Sequence, residues 1–124
     1  MEDLKIYYRK GFDNGDYVRP NDITVDKLSI THAQIPAEAV AKLNVGEWFS
    51  YLNNGEDTAL NICGRVFRYM NHDEANPLSC YHVTGGHQQW VRDNDTHTSM
   101  SVGDVVCIMG EYLMCDRIGW TPLV

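Results

Sequence analysis

At 124 residues the chain has the length of about one domain, and a chain of that size buries roughly two-thirds of its unfolded surface, enough for a core without disulfide or metal staples. Its 44% hydrophobic and 22% charged residues are ordinary for a globular protein, and no stretch approaches the ~18 uninterrupted apolar residues of a membrane span. The net charge of −7 is concentrated: residues 43–116 carry ten acids and three bases, which disfavours direct binding to a phosphate backbone.

The opening "MEDLKIYYRK" has acids where a signal peptide carries positive charge, so a cytoplasmic location is expected. Within it "LKIYYRK" (4–10) is β-rich and reads as a first strand. "GFDNGDYVRPND" (11–22) is turn chemistry throughout and is expected to be a mobile loop. "KLSITHAQI" (27–35) alternates Leu28, Ile30 and His32 against Ser29, Thr31 and Ala33, the pattern of a half-buried strand. Pro36 then opens a helix in "PAEAVAKLN" (36–44). "VGEWFSYLNNG" (45–55) fits a helix or a strand, with helix preferred. Asp57 is placed to cap a helix over 58–72, whose Leu60, Cys63, Phe67 and Met70 recur at helical spacing.

Beyond residue 77 the pattern changes to period two. "LSCYHVTGG" (78–86), "HQQWVRD" (87–93), "SVGDVVCIMG" (101–110) and "EYLMCDRIGW" (111–120) read as strands, the last two closing a tight hairpin. Strand, helices and then several short strands predict an α+β single domain over residues 1–124. Two or three helices would pack on a small antiparallel sheet with a C-terminal β-hairpin.

Candidate chemistry is sparse. Cys63, Cys80, Cys107 and Cys115 contain no C-x-x-C and are expected to be free, mostly buried thiols. Cys80, His82 and His87 lie within eight residues, but no second ligand cluster joins them, so no metal is expected. The acidic neighbourhood opposes a reactive thiolate, no G-x-S-x-G elbow is present, and the glycines of "TGGH" and "DNGD" lack a phosphate-loop context. No catalytic residue, enzymatic activity or cofactor is therefore expected.

Aromatic residues lead further. As a strand, "HQQWVRDNDTH" would present Trp90 and Arg92 on one face, and Trp, Tyr and Arg are the usual anchors of interfaces. The opposing expectation is that Trp90 covers one edge of the core. Candidate binding residues are Trp90, Arg92, His82, His87, Asp93 and Asp95.

The segment "HTSMSVGDVV" followed by a hairpin and "RIGW" resembles the C-terminus of small proteins encoded by bacteriophages, plasmids and other mobile elements. In them a His or Arg precedes Ser-Met/Leu-Ser-Val-Gly-Asp-Val-Val and a hairpin closes on Gly-Phe or Gly-Trp. The matching positions are His97, Ser99, Met100, Ser101, Val102, Gly103, Asp104, Val105 and Val106, with Gly119 and Trp120 at the close. Phe67, Arg68 and Asn71 of "GRVFRYMNHDE" are similar to the helix that precedes this motif. The resemblance implies provenance and no shared activity. Read by itself, the motif is a corner that starts a strand: glycine supplies an unusual backbone angle, aspartate bonds nearby amides, and Ser99 and Ser101 satisfy open backbone groups.

The expectation is a non-enzymatic accessory protein that binds and inhibits a host protein, such as a component of a CRISPR or restriction defence. Its acidity suits a basic, nucleic-acid-binding partner, with no direct contact to nucleic acid or membrane. The alternative is a protein that sequesters a nucleotide or other small molecule, with His82, His87, Trp90 and Arg92 lining the pocket. The oligomeric state is left open.

Overall fold

The computed structural model describes residues 4–43, 58–79 and 87–124. Five strands form one antiparallel sheet in the order β2-β1-β3-β4-β5: β1 Lys5–Arg9, β2 His32–Gln34, β3 Val105–Ile108, β4 Glu111–Cys115 and β5 Trp120–Pro122. Four helices accompany it among the described residues: α1 Leu28–Thr31, α2 Ala37–Val40, α3 Ala59–Met70 and α4 Gln88–Asp93. The class is α+β, as the chain order predicts. The first strand sits between β2 and β3, so closing the sheet joins the two ends of the chain.

Alternation along each strand divides the core. Ile6 and Tyr8 of β1, Val106 and Ile108 of β3 and Leu113 of β4 are buried in one large cluster with Ile62, Val66 and Met70 of α3 and Val91 of α4. The opposite face carries a smaller cluster in which Val105 and Met114 meet Ile23 and Leu28 from the 18–31 connection. The sheet is thus covered on both sides, by α3 and α4 on one and by α1 and the chain leading into it on the other.

Several local expectations change. In 27–35 only His32–Gln34 is strand, because Leu28–Thr31 closes a single helical turn; Ile30, expected beside Leu28, is 72% exposed. A two-residue offset shares a face on a strand and separates residues on a helix. In α3 the buried stripe is Ala59, Ile62, Cys63, Val66, Tyr69 and Met70, and Leu60 and Phe67 are exposed. The wider stripe at i, i+3, i+4 and i+7 spacing wins over the narrower one. Its cap is Thr58, whose hydroxyl accepts the Asn61 amide. Asp57, the expected cap, lies outside the described residues, as do the 45–55 segment and residues 80–86 of the 78–86 strand.

Residues 87–93 were expected as a strand and form α4 instead. Gln88 reaches the Leu78 carbonyl with its side-chain amide, and Val91 enters the core. Residues 111–120 form two strands, parted by a turn in which the Asp116 amide donates to the Gly119 carbonyl. Cys63 and Cys115 are buried free thiols and Cys107 is half-buried and free; Cys80 lies outside the described residues.

The β3–β4 turn has two residues, Met109 and Gly110, at φ 55° and 76°. Positive φ at both positions is the turn that matches strand twist, and it suits Asn-Gly better than Met-Gly. Met109→Asn is expected to raise stability by about 1 kcal/mol, because Asn adopts this conformation more readily. A thermal melt that is unchanged or lower would contradict that account.

Candidate functional site

Two features converge where the end of β1 meets the 94–104 segment. The first is a buried polar knot. Asp104 is fully buried, and its carboxylate accepts the Arg9 amide at 2.9 Å and the Ser101 amide at 2.8 Å. Arg9 in turn donates its guanidinium to the Val18 carbonyl at 2.8 Å and the Val102 carbonyl at 2.5 Å, and lies 4.2 Å from the centroid of the Tyr17 ring. A cation over an aromatic face is attracted by the ring's negative quadrupole. His32 bonds the Gly103 carbonyl at 2.8 Å, and the Tyr8 hydroxyl donates to the Thr98 carbonyl at 3.0 Å. The corner is thereby tied to β1, β2 and the 11–18 loop together.

His97 lies at the rim of the knot. Its ring stacks on Tyr8 at 5.2 Å and meets Phe12 and Tyr17 edge to face or tilted. Nε2 is 2.9 Å from the Ser101 hydroxyl and 3.5 Å from the Asp104 carboxylate. A serine–histidine–aspartate relay needs the serine and the carboxylate on opposite ring nitrogens. Here both face one nitrogen, so the group is a fastening. Burial raises Asp104 to about 7 against the pull of the Arg9 and Ser101 amides, and it lowers His97 and His32. Burial also pushes the Cys63 thiol up to about 12 and Cys115 to about 11, so neither is a ready thiolate.

The second feature is a cleft of about 500 Å³ beside the knot. Asp16, Asp93 and Asp95 line it with Ile30, and Lys10 is the one base among the described residues of its lining. Asp95 holds φ 50°, its carbonyl accepting the Gly11 and Phe12 amides and its carboxylate the Asp13 amide. The 11–22 loop is therefore anchored at its start by the segment that supplies the carboxylates. Phe12, 51% exposed, stands next to this junction.

Of the residues singled out from sequence, Asp93 and Asp95 enter this cleft. Trp90 and Arg92 do not share a face, since α4 turns them to different sides. Trp90 packs against the large cluster, 6.4 Å from the Tyr8 ring, while Arg92 is exposed and bonds Gln89. Trp90 therefore takes the core-edge role. His87 is the half-buried residue preceding α4, and His82 lies outside the described residues. No group of three metal-ligating side chains occurs among the described residues. Asp16, Ile30 and Lys10 were missed from sequence: Asp16 read as turn chemistry and Ile30 as a core position.

No protein-family model matches the chain, and no solved structure matches it. Among curated proteins it is 31% identical over 75 residues to an uncharacterised protein of Acanthamoeba polyphaga mimivirus. The matched part is 60% of this chain and 65% of that protein, so the chain spans just under two-thirds of the relative's length. The similarity is to a viral protein. No helix among the described residues is long and apolar enough to cross a membrane.

Proposed function

We propose that this is a virus-encoded accessory protein that binds a basic segment of a host protein in the Asp16–Asp93–Asp95 cleft and inhibits that protein. The observation that carries the reading is the lining of the cleft: three carboxylates and one lysine among the described residues, with Ile30 exposed among them. Carboxylates steer and orient a cationic partner, and an exposed aliphatic side chain beside them gains by desolvation. The similarity to a mimivirus protein and the resemblance of the C-terminal motif to mobile-element proteins support a viral setting. Defence nucleases and other nucleic-acid-handling proteins carry basic surfaces, which makes them partners of the fitting charge.

The test is capture from host lysate with the wild type and with the double variant Asp93→Lys, Ile30→Glu. Both positions are exposed, so the fold should change by less than about 0.5 kcal/mol. The wild type is expected to retain a basic protein in a salt-sensitive way, and the variant to bind it at least about tenfold more weakly. Equal retention by the two proteins, or none by the wild type, would defeat the proposal.

A further inference from the structure

A second cavity, of about 530 Å³, opens on the sheet face away from the large core. Its aromatic wall is Tyr7 of β1 and Tyr112 of β4, with ring centroids 6.2 Å apart and planes tilted by 35°. Val25 and Leu28 supply an aliphatic side, and Ser29, Gln34 and Asn94 supply neutral donors and acceptors. Lys10 is the only charged side chain among the described residues of the lining, apart from His32, which burial keeps neutral.

This lining is the reverse of the neighbouring cleft. In a protein of net charge −7, and beside a cleft lined by three carboxylates, the described lining of the tyrosine cavity carries Lys10, which the two share, and no acid. Aromatic faces favour a planar ligand, with stacking worth about 1–3 kcal/mol per base. Neutral amide and hydroxyl groups read the edge of such a ring, and a lone lysine acts as a point charge toward an anion. The volume falls within the roughly 300–1,000 Å³ of small-molecule sites.

From these we infer that the Tyr7–Tyr112 cavity binds a nucleoside monophosphate, the base on the tyrosine faces and the phosphate at Lys10. The cavity adjoins the acidic cleft, with Lys10 and Asn94 lining both, and nucleotide binding there does not require a protein partner in the cleft.

The experiment is an NMR titration of the isotope-labelled full chain with AMP, GMP, adenosine and inorganic phosphate. A nucleoside monophosphate is expected to give saturable shifts of the Tyr7, Gln34 and Tyr112 amides, and adenosine the same shifts with about tenfold lower affinity. Lys10→Gln should bring AMP down to the adenosine level, while Tyr112→Ala should weaken both. Arg117→Gln, which removes an exposed charge that lines neither cavity, should leave AMP binding intact. The inference is overturned by the absence of saturable shifts with either nucleotide, by equal shifts from inorganic phosphate alone, or by wild-type AMP and adenosine affinities in Lys10→Gln. Because Lys10→Gln removes a surface charge without touching the core, the test survives if Tyr112→Ala does not fold.

Discussion

Asp104→Ala is expected to lower the unfolding free energy by about 3–5 kcal/mol, read by chemical denaturation, because it leaves the Arg9 and Ser101 amides without their acceptor inside the fold. Each buried unsatisfied donor costs about 1–3 kcal/mol, and the vacated space adds to that. Asp104→Asn keeps one acceptor oxygen and is expected to cost roughly half as much. If the alanine variant stayed within about 1 kcal/mol of the wild type, β1 would not be held to the corner through this carboxylate.

The same residue sets a pH signature whose sign is opposite to the usual one for an acid. Burial raises Asp104 to about 7 in the fold, against about 4 in the unfolded chain. The folded state therefore holds the proton more tightly, and the contribution is complete below about pH 4 and lost as the pH rises through about 7, up to roughly 4 kcal/mol in all. His97 and His32 act the other way. Burial lowers both, so their contribution is present above the ordinary histidine value of about 6.5 and is lost as the pH falls below it toward their folded values. Between about pH 5 and 6.5 the two trends oppose, so the wild type should gain less stability with rising pH than a variant that lacks the carboxyl. Asp104→Asn removes the falling arm and should show a melting temperature that climbs with pH over that window. Parallel curves for the two proteins would refute the assignment.

How much of this was legible in sequence depends on the length over which a pattern could repeat. β1, β3, β4 and α3 each span enough residues for their own period, 2.0 or 3.6, to appear, and all were found. Leu28–Thr31 and Gln88–Asp93 are four and six residues long, too short to distinguish a helical turn from alternation. Tertiary contacts decide them: Leu28 drops onto the second sheet face and Val91 onto the first. At the 101–104 corner the glycine and aspartate readings hold, since Gly103 has φ 96° and Asp104 accepts the Ser101 amide, whereas the Ser101 hydroxyl bonds the His97 ring and not a backbone group. The other partner of Asp104, the Arg9 amide, is 95 residues away and emerges only when β1 is placed beside β3. The cleft has the same origin. Asp93 and Asp95 stand out as acids in a polar stretch, whereas Asp16 and Ile30 reach them only because the 11–22 loop and α1 fold against the same end of the sheet.

Gly103 tests whether Arg9 is a fixed part of that corner or only rests there. Its φ is +96°, and a Cβ added to it would lie 2.3 Å from Arg9 Nε and 2.6 Å from Cζ. A side chain at that backbone angle costs roughly 1–2 kcal/mol by itself. The far end of an arginine could ordinarily swing clear of a methyl group. This one is held by the Val18 and Val102 carbonyls and by the Tyr17 face, so moving it gives up charge-assisted hydrogen bonds worth about 1.5–3 kcal/mol each. Gly103→Ala is accordingly expected to cost about 3–5 kcal/mol in denaturation. Gly15→Ala supplies the reference: its φ is +78° and nothing lies within 4 Å of an added Cβ, so it should lose only the conformational part, about 1–2 kcal/mol. The difference between the two variants isolates the cost of displacing Arg9. In the background of Arg9→Ala that difference should vanish, because the atoms the methyl group meets are gone. If Gly103→Ala instead costs no more than Gly15→Ala in the wild-type background, Arg9 moves aside freely and its guanidinium is not a fixed part of the corner.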